Sequence, residues 1–293
     1  MSKKRKIALI GCGVMGHAIG SRLLKTGHTV VAFDVDSVKV EQMTAQGAEA
    51  ASTASDAASR SDAVVLSLNS ATIVREAVFG STGVVKGAAA GTVVIDMSSI
   101  DPILTRQFNA DAAVLGLRWL DCPLSGGAPK AYEGKLTVMA GGSPTDFTEA
   151  KLILDDLCQN LTLMGPIGAG QTTKLINQVL CALNVVAGAS STKLAIDSGV
   201  DGQRIPAALS GGRADRSMLQ EFMGKMARND YSTTGRIDNM VKDLSAEQSL
   251  AIHTGTAMPM TSLCMEIHRL MVSAGLGAAD NAALMKFYDG PKA

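Results

Sequence analysis

Residues 168–185 read GAGQTTKLINQVLCALNV. Leu175, Ile176, Val179, Leu180, Ala182, Leu183 and Val185 predict a helix that is apolar around most of its circumference. Lys174, Asn177, Gln178, Cys181 and Asn184 recur along it at steps of three or four. Such a stripe, headed by a lysine, predicts a helix that lines a cleft. A lysine at that position can give a proton as an ammonium or take one as an amine. Partial desolvation beside a cationic ring would lower its pKa and suit it to that exchange near neutral pH.

Two other stretches carry chemistry. GCGVMG (11–16) follows an apolar run, KIALIG, and leads into a helical pattern. Gly11 allows the tight turn, Gly13 admits a pyrophosphate, and Gly16 lets helix and sheet pack closely; Val14 and Met15 lie in the same turn. The next β-rich run ends in Asp34, where a carboxylate accepts hydrogen bonds from an adenosine ribose. That carboxylate would repel a 2′-phosphate, and Asp36 adds a second negative charge, so NAD is preferred over NADP. Lys39 is the nearby charge that opposes this preference. The second stretch, DCPLSGGAPKAYEGKLTVMAGG (121–142), places Ser125, Gly126 and Gly127 after a β-rich run. Their amides and the serine hydroxyl can converge on a carboxylate, or can form a simple turn.

Elements must hold these groups in place. Short β-rich runs at 6–11, 29–35, 63–68, 92–97, 118–124, 135–141 and 160–165 alternate with helical stretches. The early runs are almost continuously apolar, as expected of strands covered on both faces. The alternation predicts an α/β Rossmann-like, doubly wound parallel sheet over residues 1–166, with ligands beyond the carboxyl ends of its strands. Leu68, Asn69 and Ser99 stand at such ends and are candidates for the cofactor's ribose and nicotinamide side. After GPIGAG (165–170) the β-rich runs stop, which predicts an all-helical second domain over 167–293 for substrate and self-association.

Composition narrows the classes. Lys plus Arg and Asp plus Glu are both 27 in 293 residues, which makes no electrostatic case for nucleic acid or an anionic membrane surface. The basic start, SKKRK, reads as a solvated tail. No uninterrupted apolar run is long enough to span a bilayer, and no leader pattern precedes the first strand, so a cytoplasmic protein is expected. Five scattered cysteines and four scattered histidines suggest neither a disulfide framework nor a metal site. The Met-, Ala- and Leu-rich helical half suggests an oligomer.

Taken in order, IGCGVMG, DMSSIDP, the DCPLSGG segment, GAGQTTKLINQ, VKDL and GLGAADNAAL resemble the β-hydroxyacid dehydrogenases over nearly the whole chain. These include enzymes of the 3-hydroxyisobutyrate dehydrogenase and tartronate semialdehyde (2-hydroxy-3-oxopropionate) reductase type. The resemblance implies hydride transfer between NAD(P) and a small 3-hydroxy acid or its semialdehyde. It makes Lys174 the catalytic acid/base and Ser125–Gly127 the loop for the substrate carboxylate. It puts Lys242 near the cofactor and implies a homodimer or homotetramer. Many members carry two asparagines after the lysine; here the pair is Asn177-Gln178, so which of the two meets substrate stays open. Arg213 and Arg216 fall in a loop that approaches substrate in the family, where Arg213 could pair with a second anionic or polar group. An L-threonate dehydrogenase, an imine or short-aldehyde reductase, and a non-catalytic dinucleotide sensor are the alternatives.

Overall fold

A computed structural model of the chain describes residues 4–288. Residues up to Lys174 and residues from Leu175 onward form two compact units.

The first unit is built on one sheet. Strands β1 (Lys6–Ile10), β2 (Thr29–Phe33), β3 (Glu49–Ala50), β4 (Ala63–Leu66), β5 (Val93–Asp96) and β6 (Arg118–Asp121) pair in the order 3-2-1-4-5-6. All five of these pairings are parallel. The order reverses between β1 and β4, the crevice where doubly wound sheets take ligands. Helices α1 (Val14–Lys25), α2 (Ser37–Thr44), α3 (Ala54–Ser59), α4 (Ala71–Phe79) and α5 (Pro102–Val114) connect the strands. Every residue of β4 and β5 is buried. One apolar cluster, including Ile7, Leu9, Ile19 and Val65, fills one side of the sheet; another, including Ile10, Val64, Phe108 and Trp119, fills the other. Continuous apolar runs were needed because both faces are covered.

The sheet is not parallel throughout. The stretch 118–124, expected as one strand, breaks at Cys122-Pro123. Its remainder is the two-residue β7 (Leu124–Ser125), followed by α6 (Gly127–Glu133) and β8 (Leu136–Gly141). β8 runs antiparallel to both β6 and β7. After α7 (Pro144–Leu154), β9 (Cys158–Gly165) lies parallel to β8. β8 and β9 therefore run against the first six strands, and β7 runs with them. Pro123 has no N–H to give a ladder, so the run cannot continue as a regular strand.

In the basic start, Ser2 and Lys3 lie outside the described residues. Lys4 pairs with Asp156 at 3.6 Å, and Lys6, which opens β1, pairs with Glu49 at 2.9 Å. Both lysines stay partly exposed to solvent while making these surface ion pairs.

The second unit continues the long helix α8 (Ala169–Asp197) with α9 (Ile205–Leu209), α10 (Ser217–Ala227), α11 (Ile237–Thr254), α12 (Pro259–Met271) and α13 (Met285–Tyr288). Val185 and Ala189 of α8 pack with Phe222, Met226, Ile267 and Met271 in its core. A near-buried ion pair, Lys225–Asp280 at 3.1 Å, pins residues 232–235, because Asp280 also accepts from the amides of Thr234 and Gly235. By length and composition alone α8 could cross a bilayer, with a mean hydropathy of 1.6 over its most apolar window. Interruptions by Asn177, Gln178 and Asn184 are why the sequence shows no unbroken apolar run.

Candidate active site

The turn between β1 and α1 is shaped by two glycines in contact. Gly11 has φ +96°, a left-handed conformation. A Cβ on Gly16 would overlap the carbonyl oxygen of Gly11, so the helix can sit this close to the turn only without a side chain there. Gly13 caps α1 with no side-chain hydrogen bond, and a Cβ built on it would meet nothing within 4 Å. Open space above free helix-terminal amides is what a pyrophosphate requires. Val14 is 78% exposed beside it, while Met15 leans on the core.

Asp34 stands just past β2. Its carboxylate accepts from the Cys12 amide at 2.7 Å and the Asp36 amide at 3.0 Å. These bonds orient it at the carboxyl edge of the sheet, with 11% of the side chain still exposed. Lys39 approaches Asp34 at 3.9 Å and Asp36 at 3.2 Å. The Asp36 hydrogen bond, then the charge of Asp34, raise the Lys39 pKa, so it stays a cation and halves the negative charge of the pair. These features fit a dinucleotide, with Gly11–Gly16 for its phosphates and Asp34 for a ribose.

Beyond β4 and β5 a buried network takes over. Leu68 donates its amide to the Ser98 hydroxyl at 3.1 Å, and Ser98 donates its own amide to Asp96 at 3.0 Å. Asn69 is exposed, and Ser99 is half-buried between Ser98 and Ile100. Asp121, at the end of β6, accepts from the amides of Gly168 (2.7 Å) and Gln171 (2.8 Å) and so anchors the start of α8. Gln171 is fully buried; its Nε2 donates to the Ser98 carbonyl at 2.8 Å and its Oε1 accepts from the Ile100 amide at 3.2 Å. Lys174 follows, half-buried, one turn further along the same helix.

Burial raises both carboxyls against the hydrogen bonds that hold them ionised, and it carries Asp96 up to about 7. Stability tied to protonated Asp96 is complete below the ordinary carboxyl pKa. It is lost as pH rises through about 7. Asp96→Asn should therefore flatten the decline of Tm between about pH 4 and pH 7, a component worth at most a few kcal/mol. Parallel Tm–pH curves for variant and parent would refute this.

Ser125 ends β7, and Gly126 (φ +125°) caps α6. Gly126 and Gly127 are exposed, with their backbone open to solvent. Tyr132 of α6 meets His17 of α1 at 2.8 Å, so the helix after this loop is tied to the helix after the glycine turn.

In the second unit the amides that follow Lys174 are engaged. Gln178 Nε2 donates to Asp243 at 2.6 Å, and Gln178 Oε1 accepts from Asn177 Nδ2 at 2.9 Å. Asn177 Nδ2 also reaches the Cys181 sulfur at 3.7 Å. Lys242 lies 3.2 Å from Asp243. Arg213 and Arg216 are exposed in the loop before α10. That loop is ordered by Asp215, which accepts from the Gly211 amide and from Gln220. Sequence reasoning did not single out Asp121, Gln171 or Ser98. Gln171 lies one turn before Lys174, so extending the polar stripe backwards would have found it.

A doubly wound sheet with this turn and carboxylate defines a nicotinamide-dinucleotide-dependent oxidoreductase. Residues 6–165 match the family model described as the NAD-binding domain of 6-phosphogluconate dehydrogenase. Residues 168–288 match that described as NAD-binding of NADP-dependent 3-hydroxyisobutyrate dehydrogenase. The chain is 32% identical to the 2-hydroxy-3-oxopropionate reductase of Escherichia coli K12, over 96% of each chain. It is also 32% identical to the NAD-dependent L-serine dehydrogenase of Pseudomonas aeruginosa, over 97% of this chain and 98% of that one. Among solved structures it is similar to the 3-hydroxyisobutyrate dehydrogenase of Mycobacterium tuberculosis with L-serine. That match has a TM-score of 0.89 at 26% identity and covers 98% of this chain and 99% of the other. The chain belongs to the β-hydroxyacid dehydrogenase family and is an NAD(P)-dependent oxidoreductase.

Proposed function

We propose that the protein interconverts a small 3-hydroxy carboxylate and its semialdehyde, with NAD(H) preferred. The observation that carries the reading is the anchored start of α8. Asp121 and Gln171 fix the helix to the ends of β5 and β6, and Lys174 follows one turn later. A bound nicotinamide supplies or accepts the hydride. Gly11, Gly13, Val14 and Gly16 hold its phosphates, Asp34 a ribose, and Leu68, Asn69 and Ser99 the remainder. Lys242 is a further candidate contact.

In reduction Lys174 donates its proton to the carbonyl oxygen; in oxidation it takes the proton of the hydroxyl. The Ser125 hydroxyl and the Gly126 and Gly127 amides hold the carboxylate. Of the two amides, Asn177 is assigned to the substrate. Gln178 is occupied at both ends, whereas one Asn177 N–H faces only a thiol sulfur, a weak acceptor that a substrate oxygen would outcompete. Arg213 is assigned to a second polar group of the substrate.

Ile176, Leu180 and Leu194 leave more than half of their surface exposed along α8. A second copy covering this face, in a homodimer or homotetramer, is part of the proposal. Five free thiols, three of them buried, suit a cytoplasmic setting.

A panel of short hydroxy acids and semialdehydes, assayed with NADH and NADPH, tests the reading. Turnover should be confined to substrates bearing a carboxylate, and kcat/KM should favour NADH by about tenfold or more. Asp34→Asn, which keeps one acceptor and removes the charge, should shrink that ratio. Equal use of both cofactors by the parent protein would overturn the NAD assignment. Turnover of imines in place of carbonyl acids would overturn the substrate class.

A further inference from the structure

We infer that Gln171 is a positioning residue for the proton transfer, a latch that sets the Lys174 turn of α8 against the loop after β5. The inference rests on Lys174 being the proton-transferring group. Gln171 is fully buried in the first turns of the helix. Its backbone is held by Asp121 at the end of β6, and its side chain by the carbonyl of Ser98 and the amide of Ile100. The two loop residues it grips flank Ser99, a candidate cofactor contact. Ser98 is in turn bonded to Leu68 and Asp96. One amide side chain thus joins the candidate cofactor loops after β4 and β5 to the turn that carries the lysine. A helix lacking side-chain bonds there could slide or rotate by a fraction of an ångström, which is enough to spoil a proton transfer.

The side chain uses both a donor and an acceptor, and this makes the latch testable. In Gln171→Glu the protonated carboxyl can reproduce both bonds. The ionised carboxylate cannot donate to the Ser98 carbonyl and is driven away from it. Burial keeps the introduced carboxyl protonated to higher pH, helped by the neighbouring carboxyls of Asp121 and, once it ionises above about pH 7, Asp96, while Lys174 one turn along the helix acts in the opposite sense. The kcat of Gln171→Glu relative to the parent should fall roughly 10- to 100-fold from about pH 6 to about pH 9. NADH binding, measured by fluorescence titration, should hold steady, because Ser98 keeps its bonds to Leu68 and Asp96. Gln171→Asn is one methylene short of both partners. It should lose kcat by a similar factor at every pH, with little change in the NADH dissociation constant.

A pH-independent ratio for Gln171→Glu would overturn the latch. So would a Gln171→Asn defect confined to NADH binding. Lys174→Met separates this from the underlying reading. If that variant is inactive while Gln171→Glu follows the parent at every pH, the latch alone fails. If it turns over normally, the assignment of Lys174 fails first.

Discussion

Lys174→Met binds NADH with near-parental affinity and loses kcat by roughly 10²–10⁴-fold, the range over which a positioned acid–base group contributes. Methionine fills a similar volume with an unbranched chain, so the apolar flanks of α8 stay packed. The cofactor turn at Gly11–Gly16 lies far away in sequence and keeps its own contacts, so binding and turnover should separate. Stopped-flow fluorescence for NADH and steady-state rates for a carboxylate-bearing semialdehyde read the two quantities independently. The loss should be equal in kcat and kcat/KM, because the proton moves only in the transition state. A variant within a few-fold of parental turnover would remove the lysine from the chemistry and leave the proton donor to another group.

Gly16→Ala fails at an earlier step. The added methyl would overlap the Gly11 carbonyl oxygen, a backbone atom with no rotamer to retreat into. Gly11 cannot readily yield either, since its own left-handed turn lies against the carbonyl of Ser67. The helix must therefore back away from the strand, and the amides assigned to the phosphates move with it. NADH affinity should fall by about 10²-fold or more, with a drop in Tm of several degrees. Gly13→Ala is the informative contrast, because the same methyl there meets only open space. It should leave Tm unchanged and weaken NADH binding alone. Equal Tm losses at the two positions would show that the turn does not work as described.

The parts of this fold legible in the sequence share one property: their signal is local. Buried strands announce themselves by unbroken apolar runs, as VVL and VVID do. The glycine turn is readable because strand, turn and helix are adjacent in the chain. The polar stripe on α8 is readable because helical period alone defines it. What escaped reading depends on partners distant in sequence. Gln171 looks like any polar residue near a helix start until Ser98 and Ile100 are found beside it, more than 70 residues away. Gln178 takes its orientation from Asp243, 65 residues on. The reversal of β8 escaped because apolar alternation carries no strand direction; only Pro123 hinted at it. Two-residue strands such as β3 are too short to carry any period.

The division of the chain inside α8 has a practical consequence for recombination among relatives. Exchanging halves at the glycine-rich segment 165–170 would hand Gln171 and Lys174 to the incoming half, where their grip on Asp121 and Ser98 would depend on a foreign sheet. A seam placed after Lys174 keeps both residues with the strands that hold them, and it asks only that a helix continue across the join. In this protein the lysine is inherited with the sheet, and the amides beyond it with the helices.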